Sequence, residues 1–253
     1  MGVSLEVKDF IAVVKLDRPP VNALDRETRK RMIEIFDEIS ERSDIRVAVL
    51  TAEGKVFCSG ADLKDRPDAD KAGDFLLHNR LTRETGNAIR ECTKPVIAAV
   101  NGAALGAGMG LMCACDIFVA SDEATFAMPE INVGLAGGVS MLRTLVGRSF
   151  TRRMFFTGMR VSAAELYRRG VLDEVVPADQ LMPTALQIAE EIASKSPIAM
   201  VYAKNAANMM DLLPQRDGYR FEQNFTMALS KTEDAKEART AFLEKRKPVY
   251  KGR

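Results

Sequence analysis

The chain of 253 residues can bury a large core, as one large domain or one and a half. Its 36 Lys and Arg nearly balance its 35 Asp and Glu, for a formal net charge of +1, so no overall field favours nucleic acid or membrane. One histidine and four cysteines without Cys-x-x-Cys spacing make a metal site or a Cys–His nucleophile a poor hypothesis. The first residues contain no apolar targeting region, and we expect a cytoplasmic protein.

The N-terminal segment predicts strands and one capped helix. Two alternating runs, Val3–Lys8 and Ile11–Leu16, predict a hairpin. The two prolines in residues 18–24 indicate an extended segment. Asp25 is positioned to cap a helix with an apolar face.

Strands and helices then alternate along the sequence. Residues 46–51 form a short β-branched apolar run, which is typical of an interior parallel strand. Turn residues at 59–62 precede a polar helix at about 69–92, and another apolar run follows. This alternation predicts an α/β core with parallel crossovers.

The longest uncharged stretch covers residues 95–115. Its length would allow a membrane span, and Gly102, Gly106 and Gly110 have the spacing of packed transmembrane helices. An Asn-Gly turn signal interrupts it, so we predict a buried strand at 96–100 and a helix that begins near Gly106. The unpaired N–H groups of such a helix bind an anion or a developing negative charge. A tightly packed helix without any chemistry is the alternative.

The second half of the chain changes in character. Short strands are predicted at 117–120, 125–127 and 172–176, and a capping box at 162–165 begins a short helix. From about residue 179 onward the pattern is only helical, and Pro197, Pro214 and Thr232 mark the starts or stops of successive helices. Such a tail either covers the core or forms an oligomer interface.

Three loops that follow predicted parallel strands are candidates for chemistry. They contain Ala61, Ala107 and Glu130. Two backbone N–H groups from the first two loops can form an oxyanion hole for a thioester or similar carbonyl, and Glu130 can transfer a proton. The alternative is that Glu130 is one of 35 acidic residues on a solvated loop. The serine elbow, the dinucleotide fingerprint and the phosphate loop are all absent from the sequence.

Five ordered motifs together resemble the crotonase (enoyl-CoA hydratase/isomerase) family over nearly the whole chain: RPPVNAL, FCSGADLK, NGAALGAGMGLMCACD, FAMPEINVGL and AFLEKRKPVYKGR. The resemblance implies an α/β fold, a crotonase-like spiral of ββα turns with a C-terminal helical oligomerisation region. It divides the chain into a spiral core with an acyl-CoA site at 1–195 and a helical trimerisation region at 196–253. A homotrimer, or a hexamer made of two trimers, is expected.

The resemblance also implies site residues. The N–H groups of Ala61 and Ala107 match the oxyanion hole for an acyl-CoA thioester, and Glu130 matches a catalytic glutamate. The implied substrate- and CoA-binding residues are Ala23, Leu24, Asp62, Leu63, Lys64, Phe242 and Lys245. Coenzyme A is expected as part of the substrate, with no separate cofactor and no metal.

The sequence departs from the family pattern at two places. Gly110 stands where two-carboxylate hydratases have a second glutamate. The loop at 134–138, which borders the acyl end in the family, is shorter than usual, so the resemblance does not define the shape of the acyl group. The expected function is hydration of a 2-enoyl-CoA through an oxyanion-stabilised thioester enolate with a single catalytic glutamate. The alternatives are a Δ3,Δ2-enoyl-CoA isomerase and a non-catalytic acyl-CoA-binding or assembly subunit. We expect neither nucleic acid nor membrane as a partner.

Overall fold

The computed structural model describes residues 2–253 and has an α/β fold. The strands are β1 (Val3–Lys8), β2 (Ile11–Leu16), β3 (Val47–Ala52), β4 (Val96–Val100), β5 (Ala104–Leu105), β6 (Ile117–Ser121), β7 (Thr125–Ala127), β8 (Val161–Ser162) and β9 (Glu174–Val176). The helices are α1 (Arg26–Glu41), α2 (Asp74–Glu91), α3 (Ala107–Ala114), α4 (Val139–Leu142), α5 (Arg148–Thr157), α6 (Ala163–Arg168), α7 (Leu181–Ala193), α8 (Pro197–Met210), α9 (Gln215–Leu229) and α10 (Glu233–Leu243). Two 3-10 helices cover Pro129–Val133 and Ala178–Gln180.

The strands form two sheets. The larger has the order β1-β2-β3-β4-β6-β9, and after the antiparallel β1–β2 hairpin every pairing in it is parallel. The smaller has the order β5-β7-β8. Every residue of β3 and β4 is buried, as their apolar runs predicted, because a central parallel strand is covered on both faces.

The chain moves repeatedly from the larger sheet to the smaller and then into a helix. Strand β4 is followed by β5 and α3, and isolated parallel bridges, Leu24 with Ala61 and Cys58 with Ala104, give the earlier segments the same pattern. Each unit therefore consists of a long strand, a short pairing and a helix. These units are the ββα turns of the predicted spiral.

Alternate residues of β3 enter two separate cores. Ala48 and Leu50 pack in the core that also contains the apolar face of α1, whereas Val47 and Val49 pack against α7 on the other side of the sheet. Full burial of one such valine or leucine contributes roughly 1.5–3 kcal/mol. The two-sided burial fixes the plane of the sheet, and so the positions at which its strands end.

The extended conformation predicted for residues 18–24 is wrong, because residues 19–22 form a turn. Asn22 has a φ of 52°, in the left-handed region that asparagine tolerates, and its N–H donates to the Arg18 carbonyl at 2.9 Å. The buried Asn22 side chain donates to the carbonyls of Glu53 and Val56. These bonds tie the N-terminal motif to the loop that leads into the second motif.

Helix α2 begins at Asp74, several residues later than predicted. Both carboxylate oxygens of Asp74 accept from the Arg26 guanidinium at 2.7 Å, and one also accepts from the Asp68 N–H. The bonds to Arg26 lower the pKa of Asp74. Residues 69–73 are therefore held in the connection that reaches this ion pair, with Gly73 at a φ of 85°.

The predicted starts of the C-terminal helices are confirmed. Pro197 is the first residue of α8, Pro214 is the N-cap of α9, and the Thr232 hydroxyl caps α10 by accepting from the Ala235 N–H. Among residues 2–253, none of the helices combines the length and the apolar character that a membrane crossing needs.

A buried ion pair joins α8 to the strand core. Lys204, whose side chain is 3% exposed, bonds Asp116 Oδ2, and the same oxygen accepts the Val96 N–H at 2.7 Å. Asp116 directly follows the uncharged stretch. One carboxylate thus connects the start of β4, the start of β6 and the C-terminal helices.

Replacing Lys204 by Ala leaves Asp116 without its cation, and we expect the free energy of unfolding to fall by about 2–4 kcal/mol. The lower end of this range applies because the Asp116 side chain is partly exposed and can be solvated. Lys195→Ala is the matched control. Its 3.6 Å pair with Glu191 is exposed, and its loss should cost below about 0.5 kcal/mol. Denaturant unfolding measures both, and equal small losses would contradict the stabilising role of Lys204.

Candidate active site

The second motif is held against β5 by its backbone. The Cys58 N–H donates to the Ala103 carbonyl and the Cys58 carbonyl accepts from the Leu105 N–H. Gly60 has a φ of 103°, and a Cβ atom placed on it would lie 2.9 Å from the Leu105 carbonyl oxygen and 3.5 Å from the Ala107 nitrogen. A side chain cannot fit there, so glycine brings this turn into contact with the start of α3.

Ala61 lies next in this turn with its N–H group free. The flanking residues pair with Leu24, since the Leu24 N–H donates to the Gly60 carbonyl and the Asp62 N–H donates to the Leu24 carbonyl. Within residues 2–253 the Ala61 N–H has no acceptor, and Ala61 is exposed. This donor is fixed in direction by its neighbours and open to a ligand.

Ala107 is the first residue of α3. Gly106 before it has a φ of 54° and provides no side-chain cap, and the helix closes its first bond from the Gly110 N–H to the Gly106 carbonyl at 2.9 Å. The N–H groups of the first turn lack partners inside the helix and lie at the positive end of its dipole. The Ala107 nitrogen also lies beside the turn that holds Ala61, since it is 3.5 Å from the position of a Cβ on Gly60.

Gly108 explains how α3 reaches this position. A Cβ atom on Gly108 would lie 2.2 Å from the Cys58 carbonyl oxygen and 2.7 Å from the Cys58 Cβ. The first turn of the helix thus packs directly on the backbone of the second motif. The two candidate oxyanion donors come from segments in van der Waals contact.

Glu130 approaches the same place from the third loop. It follows Pro129 in the 3-10 helix, and its Oε1 atom lies 2.7 Å from the position that a Cβ on Gly106 would take. Its Oε2 atom is buried without a hydrogen-bond partner among residues 2–253. Burial raises the pKa of the Glu130 carboxyl above its ordinary value. A carboxylate with an unused oxygen therefore lies beside the start of α3, as a proton-transfer group requires.

The segments expected to line the CoA pocket lie side by side. Arg18 donates to the Ala23 carbonyl at 3.1 Å and to Asp62 Oδ2 at 2.7 Å, and Asp62 Oδ1 accepts the Lys64 N–H. Leu63 is 58% exposed. The structure thus brings five of the seven predicted binding residues to the edge of the oxyanion turn: Ala23, Leu24, Asp62, Leu63 and Lys64.

Within residues 2–253, no hydrogen bond or salt bridge connects Phe242 or Lys245 to this edge. Phe242 is 82% exposed near the end of α10, and neither side chain has a hydrogen-bond or salt-bridge partner within residues 2–253. Helix α10 is instead held by Asp234, which accepts from Ser196 and from the Gly252 N–H. Their role at CoA stays a prediction.

Thiol and metal chemistry find little support at the site. Burial raises the pKa of the Cys58 thiol to about 11, which keeps it protonated at neutral pH. Within residues 2–253 there is no group of three or more His, Cys, Asp or Glu residues arranged to hold a metal ion.

The sequence analysis missed two residues next to the site. Arg18 joins two motifs that are 44 residues apart, and no local pattern indicates such a pairing. Met141 lies on the unpredicted helix α4, with its sulfur 3.1 Å from the position of a Cβ on Gly110. It occupies the region in which the family pattern has its second carboxylate.

Comparisons with known proteins identify the family of the chain. The family model for enoyl-CoA hydratase/isomerase matches residues 6–253. The chain is 38% identical over 235 residues to a (7aS)-7a-methyl-1,5-dioxo-2,3,5,6,7,7a-hexahydro-1H-indene-carboxyl-CoA hydrolase of Mycobacterium tuberculosis, covering 93% of this chain and 95% of the relative. It is 37% identical over 257 residues to the carnitinyl-CoA dehydratase of Salmonella enteritidis PT4, covering 96% and 95%.

The solved structures agree as well. The crystal structure of an enoyl-CoA hydratase from Bacillus anthracis superposes with a TM-score of 0.93 at 34% identity, covering all of both chains. The chain belongs to the enoyl-CoA hydratase/isomerase, or crotonase, family, and the predicted fold is confirmed.

Gly108→Ala tests the close contact that positions the two donors. The added methyl group would overlap the Cys58 carbonyl, so we expect a loss of about 3 kcal/mol in the free energy of unfolding. A donor displaced by such a shift should lower kcat/KM roughly 10²-fold. Gly147→Ala is the control, because its methyl group meets nothing within 4 Å. Similar behaviour of the two variants would disprove the contact.

Proposed function

We propose that the protein is an acyl-CoA enzyme that binds the oxygen of a thioester enolate at the N–H groups of Ala61 and Ala107, while Glu130 carries a proton. The net reaction is hydration of a 2-enoyl-CoA, with coenzyme A entering as part of the substrate. The observation that carries the proposal is the buried, unpartnered Glu130 Oε2 beside the first turn of α3.

One carboxylate is sufficient for this reaction. As the water oxygen bonds to C3, Glu130 takes one water proton, and the C2=C3 electron pair moves into the thioester to form the enolate. The two N–H groups stabilise that oxyanion, and one such donor typically supplies roughly 10²–10³ in rate. Glu130 then gives its proton to C2 as the enolate collapses, which completes the addition of one water.

The names of the relatives support an acyl-CoA substrate. A dehydratase such as the Salmonella enzyme is named for the reverse of this addition. The mycobacterial relative is named as a hydrolase of an indene-carboxyl-CoA, and hydrolysis at a carbonyl also places negative charge on its oxygen. Both fit a site in which two backbone donors serve different substrates.

Isomerisation of a 3-enoyl-CoA is the second candidate, favoured by the thioether of Met141 beside Gly110. Glu130 would move a proton between C2 and C4 without water. A panel of 2-enoyl- and 3-enoyl-CoA esters, followed by absorbance and mass, separates the two reactions, because only hydration adds the mass of water. Thermal stabilisation by acyl-CoA without any product would support a non-catalytic binding subunit instead.

The proposal includes the pocket and the assembly. Ala23, Leu24, Asp62, Leu63 and Lys64 would border the CoA moiety. Phe242 and Lys245 would reach its adenine end from a neighbouring copy in a homotrimer or hexamer. Their exposure leaves them available for that contact.

Replacing Glu130 by Gln should lower kcat/KM by roughly 10²–10⁴ while leaving binding of CoA esters intact. The melting temperature should rise at neutral pH, because a buried ionised carboxylate destabilises the folded state. Glu123→Gln changes an exposed glutamate and should leave both quantities unchanged. Unaltered turnover by the Glu130 variant would mean that another group moves the proton.

The pH profile of kcat/KM should report the raised pKa of Glu130. The free enzyme needs the ionised carboxylate, so activity should fall with decreasing pH at a midpoint above about 4.3, the ordinary value for glutamate. Since the folded pKa lies above the unfolded one, the excess melting temperature of Glu130→Gln should grow with rising pH through that midpoint and then level off. A midpoint at or below the ordinary value would contradict the burial effect.

A further inference from the structure

Two glycines inside adjacent helices face one methionine. Gly86 lies within α2 and Gly110 within α3, where glycine is unfavourable unless packing requires it. A Cβ on Gly110 would lie 3.1 Å from Met141 Sδ, and a Cβ on Gly86 would lie 4.0 Å from Met141 Cε. The end of the methionine side chain therefore crowds the space of a side chain at Gly110 and lies in ordinary van der Waals contact with the position of one at Gly86.

This space adjoins the candidate active site. Gly110 follows Gly106 by four residues, and its N–H donates to the Gly106 carbonyl at 2.9 Å, so the two glycines are one helical turn apart. The position of a Cβ on Gly106 is close to the Glu130 carboxylate, and that of a Cβ on Gly110 is close to the Met141 sulfur. The carboxylate and the thioether therefore contact the chain at positions one helical turn apart.

Met141 is held in an adaptable way. It is half-buried, and its helix α4 has only four residues after Gly138, whose φ is 97°. Methionine has three side-chain torsions and fills irregular apolar gaps. A wall of this kind can adjust to an apolar group but offers no hydrogen bond to a polar one.

We propose that Met141 determines the acyl specificity of the enzyme, an inference that rests on the proposed function. Its thioether forms the apolar end wall of the acyl site and occupies the place of a second carboxylate. Short apolar acyl groups fit against this wall. Longer ones meet the thioether, and polar or charged substituents would be buried there without a partner.

Met141→Ala should extend the acyl range. In a series of straight-chain 2-enoyl-CoA esters of increasing length, the ratio of kcat/KM for longer over shorter esters should rise about tenfold or more. Met182→Ala is the matched control, because Met182 is also half-buried but lies in α7 and packs against the other core. It should leave the ratio unchanged. If Met141→Ala fails to fold, Met141→Val should shift the ratio in the same direction by a smaller factor.

A double substitution tests the shared space directly. Gly110→Glu alone should lower hydration, because its side chain collides with the Met141 sulfur. Adding Met141→Ala should recover about tenfold or more of that loss, which is the non-additivity expected of residues in contact. Additive effects of the two substitutions would overturn the proposal.

Failure of this inference differs from failure of the proposed function. If the wild-type protein converts enoyl-CoA esters but folded Met141 variants keep its chain-length ratio, Met141 does not set specificity. If the wild type converts none, calorimetric binding of saturated acyl-CoA esters decides the matter. A longer optimum chain length in Met141→Ala would support the wall, and an unchanged optimum would refute it.

Discussion

The site depends on contact between backbones that no side chain separates. Gly108 rests on the Cys58 carbonyl, and Gly60 rests on the Leu105 carbonyl. Because peptide groups meet directly at both places, the Ala61 turn and the first turn of α3 cannot shift independently. Glycine loses more conformational entropy on folding than other residues do. At these two positions, however, it lets the backbones touch, so the fold itself sets the distance between the two donors.

The same packing sets the electrostatics. Residues 95–115 carry no charge, so no charged side chain from this stretch itself competes for the N–H groups at the start of α3. Seven of the eight residues of α3 are buried, which keeps water from screening the helix dipole. Burial next to these donors raises the pKa of Glu130, and a carboxyl whose pKa moves toward neutrality can both accept and return a proton.

Much of the fold follows from local signals in the sequence. The β1–β2 hairpin, the helix capped by Asp25, the buried strands β3 and β4 and the helix starts at Pro197 and Thr232 each depend on residues within a few positions, and the structure has them as predicted. The three candidate loops were also recognisable, because each follows a strand. The residues alone suggested that the first two loops converge on one oxygen but left a site without chemistry as the alternative, and the family resemblance favoured the convergence.

The misses have long-range causes. The Asn22 turn depends on bonds to carbonyls 31 and 34 residues away, and the late start of α2 depends on an ion pair that spans 48 residues. Helix α5, which the sequence analysis left unassigned, buries Met154 and Phe155. Local helix and strand propensities do not reflect these contacts, because the contacts exist only once the spiral has formed.

At Gly110 the backbone takes part in the arrangement around Gly106 and Glu130, whereas the space of the missing side chain borders Met141. The buried backbone of Gly110 is bonded to Gly106, the residue beside Glu130. The space beside its missing side chain is taken by a thioether from a short helix that follows a glycine-rich connection. In the proposed function the backbone framework would fix which carbonyl oxygen is stabilised, whereas the adaptable neighbour would limit the groups that lie beyond that carbonyl. A family can therefore keep one fold and one oxyanion site while its acyl groups and net reactions diverge, because changes at Met141 leave the contacts of Gly60 and Gly108 untouched.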